Sequence, residues 1–351
     1  MAYTTIDDPS AHFQITIYTG NEIDDTAITN DGNSDLQPDL LWIKERSVIR
    51  NHSMVDSSRG VTKHLHSDLD EAEATASNRV KSLDSDGFTV GDSGYTNDDT
   101  EAFVAWQWKA NGGSRTTNAE DGNNPAGGYQ ANTTAGFSIV DYTGTGAAGT
   151  MAHGLGAVPD VIIIKNRDEA DSWAVYHSAN TGAPETDYLI LDTSAATADD
   201  ATYWNDTAPT SSVFTVATAH NVNADTEKYM AYCFTSIQGY SKFGSYTGNG
   251  DANGTFVFTG FKPRWVLIRR SAANNWHLVD SKRETYNPMD VQLYPNLSNL
   301  EYAEYHGMDF LSNGFKPRES SDWINAAELY VYMAFAENPF VTSGGVPCTA
   351  R

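Results

Sequence analysis

Residues 137–149 read FSIVDYTGTGAAG, an apolar strand-like run followed by Gly144, Gly146 and Gly149 in the spacing of a dinucleotide-binding loop. That spacing carries chemistry only when a helix begins inside the loop, because the free N–H groups of a first helical turn hold the pyrophosphate. The next residues are TMAHGLGAVPDVIII, with further glycines, a proline and no helical period. The same opening returns as FQITIYTGNE from Phe13 and YSKFGSYTGNG from Tyr240, and the glycines are not kept: the first copy retains Gly20 alone. The loop therefore reads as a hairpin turn in which glycine supplies a positive φ.

The recurrence extends further. Each Tyr-Thr-Gly, at Tyr18, Tyr142 and Tyr246, precedes a proline that opens an apolar run: QPDLLWIKER, VPDVIIIKNR and KPRWVLIRRS. The separations from Tyr to Pro38, Pro159 and Pro263 are 20, 17 and 17 residues by subtraction. Later, Phe88, Phe214 and Phe315 stand 15 residues before Phe103, Tyr229 and Tyr330 in every copy (103−88, 229−214, 330−315). The chain is a triplication.

Each copy reads as β: short runs of Val, Ile, Tyr, Phe and Trp bounded by Gly, Asn, Asp and Pro. In TEKYMAYCFTS, Tyr229, Ala231 and Cys233 fall on one side and Met230, Tyr232 and Phe234 on the other, which fits a strand covered on both faces. The expected class is all-β, three tandem antiparallel β-sandwich units with a short helix in the first. That helix is expected over residues 67–83, where Ser67 and Asp70 imitate a capping box. The units are 1–108, 137–238 and 239–340. Residues 109–136 read as a strand-poor Gly/Asn-rich linker and 341–351 as an irregular tail. Units two and three, joined by a short junction, are expected to form a rigid pair.

Composition bounds the function. With 46 acidic against 22 basic residues the net charge is −24, which argues against nucleic acid and anionic membrane surfaces as partners. No apolar run approaches the ~18–20 residues of a membrane-spanning helix, and the N-terminus lacks the pattern of a signal peptide. Cys233 reads as a small buried hydrophobe and Cys348 lies in the tail, with no disulfide framework expected.

Candidate chemistry is sparse. His64 and His66 share a strand face at a spacing compatible with a metal, without a third ligand. LDSDGF (83–88) and TNDGNSD (29–35) resemble calcium loops incompletely, and a turn role is expected for them. At the end of one strand the polar residue changes from Asp56 to His177 to Asp280 while the apolar frame is kept, as in a structural module. Trp173 and Trp276 are expected to pack in their own units, whereas Trp204 and Trp323 are the candidates for contact surfaces. There is no G-x-S-x-G, H-E-x-x-H or P-loop. The sequence assigns no catalytic, cofactor-binding or metal-binding residue.

The phrases FQITIYTGN, LQPDLLWIKER, DSSRGVTKHLHSDLDEAEAT, AFVAWQWKANGG, NTTAGFSIVDYTGTGAAGTMAHGLGAVPDVIIIKNR and YVYMAFAENPF together resemble virion structural proteins of tailed bacteriophages, the tail-fibre-like proteins of marine phages. The resemblance spans about residues 10–340. It implies a non-enzymatic tail fibre or attachment adaptor, built into a virion in the bacterial cytoplasm, without cofactor. Its implied partners are other virion proteins, copies of itself and host surface glycan, with no membrane insertion. A head decoration protein and a glycan-binding or glycan-depolymerising tail protein are the alternatives. Repeated modules of this kind are expected to build a rod or plate.

Overall fold

The computed structural model describes residues 2–349, without the side chains of 304–306; Met1 and the last two residues of the expected tail lie outside the described residues. Triplicated sequence becomes triplicated topology. In unit one the strands Phe13–Thr19, Ala102–Trp108, Leu40–Glu45 and Ser53–Asp56 lie side by side in that order, all antiparallel. Phe137–Thr143, Lys228–Phe234, Val161–Asn166 and Ala174–His177 repeat the order in unit two. Ser241–Thr247, Leu329–Pro339, Phe261–Arg270 and His277–Asp280 repeat it in unit three. The fold is all-β.

One face of each large sheet is covered by a small second sheet. In unit one this contains Thr26–Thr29, Gly87–Val90 and Val80–Asp84; in unit two, Gly149–Ala152 and Val213–Val216; in unit three, four strands including Val257–Phe258 and Gly314–Pro317. Phe88, Phe214 and Phe315 are buried there, edge-on to Tyr18, Tyr142 and Tyr246 at 5.9, 6.3 and 5.9 Å between centroids.

The loop after Tyr-Thr-Gly carries the chain from the large sheet to the small one. Gly144–Gly149 is therefore an arch and not the expected hairpin, since Phe137–Thr143 pairs with Lys228–Phe234 and Gly149–Ala152 with Val213–Val216. No helix starts there. The Tyr and Gly recur for packing reasons, while Thr19, Thr143 and Thr247 are exposed. Each Tyr hydroxyl donates to a buried backbone carbonyl, of Thr96, Val222 or Ile324, at 2.7, 2.5 and 2.5 Å. Each Gly lies so close to the next crossing chain that a Cβ would stand 2.0 Å from the carbonyl oxygen of Asp98, Ala224 or Ala326. Asn97, Asn223 and Asn325, fully buried, tie each arch down through backbone N–H and C=O groups.

The other face of each large sheet is shared. Leu40, Trp42, Trp106 and Trp108 of unit one, Ile163, Tyr232 and Phe234 of unit two, and Trp265, Leu267, Met333 and Phe335 of unit three form one continuous core. Trp108 meets Phe234 at 6.5 Å and Trp265 at 5.8 Å, and Phe234 meets Phe335 at 6.0 Å. Tyr229, Ala231 and Cys233 point the other way into unit two's own core, as strand alternation requires. The units are thus a closed cycle around a common centre. The expected rigid pair of units two and three extends to all three, and the expected rod or plate is replaced by a ring.

Equivalent hydrogen bonds close the cycle. Trp173 Nε1–H of unit two donates to His66 O of unit one at 2.9 Å, and Trp276 Nε1–H of unit three to Ile190 O of unit two at 2.8 Å. Unit one has His52 at that position. Its Nδ1 accepts from Trp42 Nε1–H at 2.8 Å, so the ring is protonated on Nε2, which donates to Tyr294 O of unit three at 3.0 Å. Trp173 and Trp276 therefore join units, contrary to the expectation that each packs at home. Trp204 is buried as well, donating to Asp187 O at 3.0 Å, and makes no contact surface.

Two further expectations change. No helix forms over 67–83, which holds the short strands Ala74–Thr75 and Val80–Asp84; unit one's helix is Gly94–Asn97. Of the two expected capping residues, Ser67 Oγ donates to Pro295 O of unit three at 2.8 Å, and Asp70 receives Lys165 Nζ of unit two on its backbone oxygen at 3.1 Å. The expected linker 109–136 is likewise structured, because Thr116–Asn118 and Gly127–Asn132 extend unit two's large sheet beyond Phe137–Thr143.

A shared core makes unfolding cooperative. The chain should lose structure in one denaturant transition seen alike by tryptophan fluorescence and far-UV dichroism, and residues 137–238 expressed alone should not fold. Trp276→Phe, which orphans a buried carbonyl, should cost about 1–3 kcal/mol in the same titration. Gly144→Ala, whose Cβ meets Ala224 O, should cost about 1–3 kcal/mol or more.

Candidate functional site

The strand-end residues Asp56, His177 and Asp280 lie at seams between units. Asp56 accepts from Arg59 Nε at 2.5 Å and from the Tyr232 hydroxyl of unit two at 2.8 Å. Asp280 accepts from Arg283 Nε at 2.6 Å and from Trp106 Nε1–H of unit one at 3.1 Å. In unit three the residue matching Trp106 and Tyr232 is Met333, which has no such donor. His177 faces it, and its Nε2 donates to Tyr332 O at 3.2 Å while Nδ1 accepts from Ala179 N. The change of polar residue follows the partner across the seam.

Seam ion pairs surround these residues. Arg167 of unit two pairs with Glu73 of unit one at 2.8 Å, and Arg46 of unit one with Glu301 of unit three at 2.5 Å. The backbone repeats the contact at all three seams: Glu73 N to Arg167 O at 2.8 Å, Glu301 N to Arg46 O at 2.7 Å, and Thr197 N to Ser271 O at 2.8 Å.

The metal candidates are spent on packing. His64 Nδ1 lies 2.9 Å from Ser53 Oγ, and burial drives its pKa down to about 3. His66 Nδ1 donates to His52 O, and the Arg79 guanidinium sits 3.3 Å from its Nε2. In the calcium-like loops Asp84 accepts from Ser82 and Thr89 hydroxyls, closing a turn, Asp86 accepts from Leu36 N, and Asp31 pairs with Lys282 of unit three. Among the described residues no three His, Cys, Asp or Glu gather as metal ligands.

Buried cations occupy one repeated position: Lys44, Lys165 and Arg269, all inaccessible to solvent. Lys165 Nζ donates to Asp70 O of unit one and to Asn166 O, Lys44 Nζ to Glu45 O, and Arg269 to Ala195 O of unit two. Burial pulls Lys44 and Lys165 down to about 8 and Arg269 to about 10, and raises nearby Asp68 to about 6. These displaced groups face backbone at seams, not a cavity.

Hollows of several kinds occur among the described residues. One at the centre is apolar and about 20 Å³, too small for a ligand. A polar one of about 200 Å³ lies between Asp8, Gln14, Asp31, Arg264 and Glu337. A larger, open groove of about 450 Å³ is lined by Ile49, Asn275, Tyr294, Leu297, Asn299, Leu300, Tyr302 and Trp323, where unit one's loop lies on unit three. Ile49 is 69% exposed, Tyr302 48% and Leu300 40%. Trp323 stands edge-on to His277 at 4.7 Å and lies 5.9 Å from Tyr294. Of the two tryptophans expected at a contact surface, Trp323 lines this groove. The rest of the groove was missed, because its residues come from distant segments and only comparison of the repeats singles them out.

Residues 8–339 match the model of a family described as Domain of unknown function (DUF7483). No curated protein and no solved structure matches the chain.

The depressed lysines fix a pH dependence. Between the folded value of about 8 and the ordinary value of 10.5 the unfolded chain holds protons that the folded chain has shed, so stability rises with pH there and is lost as pH falls through 8. The free energy of unfolding should climb by about 1–2 kcal/mol from pH 8 to pH 9. Above pH 9 the Cys233 thiol, pushed up by burial, opposes the trend. Lys44→Met and Lys165→Met should each flatten the slope in urea titrations at pH 7, 8 and 9.

Proposed function

The chain belongs to the DUF7483 family, a domain of unknown function, and from that premise we propose that it is a non-enzymatic structural component of a tailed-phage virion, serving at the tail as a fibre or attachment adaptor. The observation that carries the reading is where the charged side chains go. Asp56 and Asp280 accept from Tyr232 and Trp106 of the next unit, and Glu73–Arg167 and Glu301–Arg46 pair across seams, so charged groups of the kind a catalyst would hold in a cleft here help lock three units into one body. The resemblance of residues 10–340 to virion proteins supplies the biological setting. Virion parts are symmetric homo-oligomers, and a ring bonded at every seam transmits load without loose joints.

Quantitative mass spectrometry of purified particles against the major capsid protein tests the proposal. Copies on the order of a few to a few dozen per particle are expected for a tail part. Copies on the order of hundreds would make it a head decoration, and absence from the particle would end the virion reading. Incubation with host surface glycan should release no reducing sugar; release abolished by replacing one carboxylate would make the chain a depolymerase.

A further inference from the structure

Three equivalent seams provide an internal control for the groove. The backbone contacts of Glu301, Glu73 and Thr197 make Tyr302 equivalent to Ala74 and Ala198, and Leu300 to Ala72 and Ala196. The bond of Arg50 N to Ser298 O, matched by Asn274 N to Ser194 O, aligns Ile49 with Ala273, and counting back from Trp173 gives Ala170. The tyrosine-to-carbonyl bonds align Trp323 with Tyr95 and Asn221. Two seams thus place alanines at three positions where the third carries Ile, Leu and Tyr. At the fourth position, Tyr95 is covered by Arg79 at 3.7 Å and Arg50 at 5.5 Å, and Asn221 donates to Ser172 O. The fold does not need large apolar side chains here, since the other seams close without them.

We infer that this groove, between the loop carrying Ile49 and the Leu297–Tyr302 segment, is a binding site for a neutral saccharide. The lining contains no charged side chain, although the whole chain carries a net charge of −24, so it suits an uncharged ligand. Tyr302 and the half-buried Trp323 offer aromatic surface, with the buried Tyr294 beneath, against which the C–H face of a pyranose packs by dispersion and weak C–H contacts. Asn299 supplies an amide and Asn275, whose oxygen accepts from Asn296 Nδ2 at 2.8 Å, its N–H groups for ring hydroxyls. A purely aliphatic ligand would leave those amides without a role, and an acidic sugar would meet a chain of its own charge. The volume of about 450 Å³ falls within the ~300–1,000 Å³ of small-ligand sites and suits a short segment of a glycan. The inference deepens the attachment reading without depending on it: loss of saccharide binding would leave copy number per particle unchanged.

The test uses the full chain and a panel of neutral gluco-, galacto-, manno- and N-acetylhexosamine tetrasaccharides, with uronate-containing tetrasaccharides alongside. Calorimetry and tryptophan fluorescence are the readouts. At least one neutral tetrasaccharide should bind in the micromolar to millimolar range, and the acidic ones should bind more weakly. Tyr302→Ala and Leu300→Asp, at half-exposed positions, should each weaken binding by about tenfold or more. Trp323→Ala should do the same, with folding checked by far-UV dichroism because Trp323 also packs on unit three's core. Tyr286→Ala, at an exposed position outside the groove, should change nothing. Silence from every neutral saccharide up to about 10 mM, preference for the acidic sugars, or binding untouched by Tyr302→Ala and Leu300→Asp would each overturn the inference.

Discussion

The structure depends on one constraint: its three large sheets are apolar on both faces. Leu40–Glu45 and Val161–Asn166 are buried at every position, which a sheet with one wet face never shows. Such a sheet needs two covers. The small sheet supplies one and is too small to supply both, so the second must be another sheet of the same kind. With three copies in one chain, a cycle covers every inner face and leaves none over. A linear array of the same units would expose an inner face at its ends, and burying a single large side chain is worth about 1.5–3 kcal/mol. The arch glycines, the tyrosine hydroxyls and the seam bonds all follow from holding two covers on each sheet.

The cycle also explains the repeat's imperfections. Where the neighbouring strand presents an N–H or O–H, from Trp106 or Tyr232, the turn presents a carboxylate backed by an arginine three residues on: Asp280 with Arg283, Asp56 with Arg59. Where the neighbour presents Met333, an aspartate would have no donor across the seam, and an unpaired buried carboxylate is costly. A neutral histidine stands there, and Asn180 replaces the arginine and receives the Thr197 hydroxyl at 2.8 Å. Likewise Glu73 and Glu301 each meet arginines at their seams, while the third seam has Thr197 beside Ser271 and the buried Arg269 donating to Ala195 O. The polar residues change seam by seam with the partner they face.

Much of the fold was legible because strand alternation and repeat spacing are local. The two faces of Tyr229–Phe234, the equivalence of Phe88, Phe214 and Phe315, and the absence of a helix after Gly149 follow from residues within one copy. The closure was not legible. Its bonds join Trp173 to His66 and His52 to Tyr294, residues 107 and 242 positions apart, and no local pattern distinguishes a tryptophan packed at home from one that reaches into the next unit. The misread helix has the same origin, since a serine that bonds a carbonyl of a distant unit looks like one capping its own helix. Gly127–Asn132 escaped because its composition disfavours strands, and a free sheet edge imposed the pairing. The groove was hidden more deeply: Trp323 drew notice as a tryptophan without a counterpart, but Ile49, Leu300 and Tyr302 are ordinary residues until the three seams are superimposed.

That superposition separates what the fold requires from what it tolerates. Arch glycines and buried asparagines occur three times because each unit needs them, and seam donors because each seam does. Exposed Ile49, Leu300 and Tyr302 occur once, where alanine suffices twice. Placing apolar side chains in water does nothing for the core, and an exposed apolar patch on a soluble surface invites association. A chain that surrounds itself with acidic residues yet leaves this groove without a charged lining keeps one neutral surface within an anionic one. The rigid ring then has a clear physical use: loops from two units, held by the Arg46–Glu301 pair and the bond from Arg50 N to Ser298 O, form a groove whose walls need little ordering when a ligand arrives.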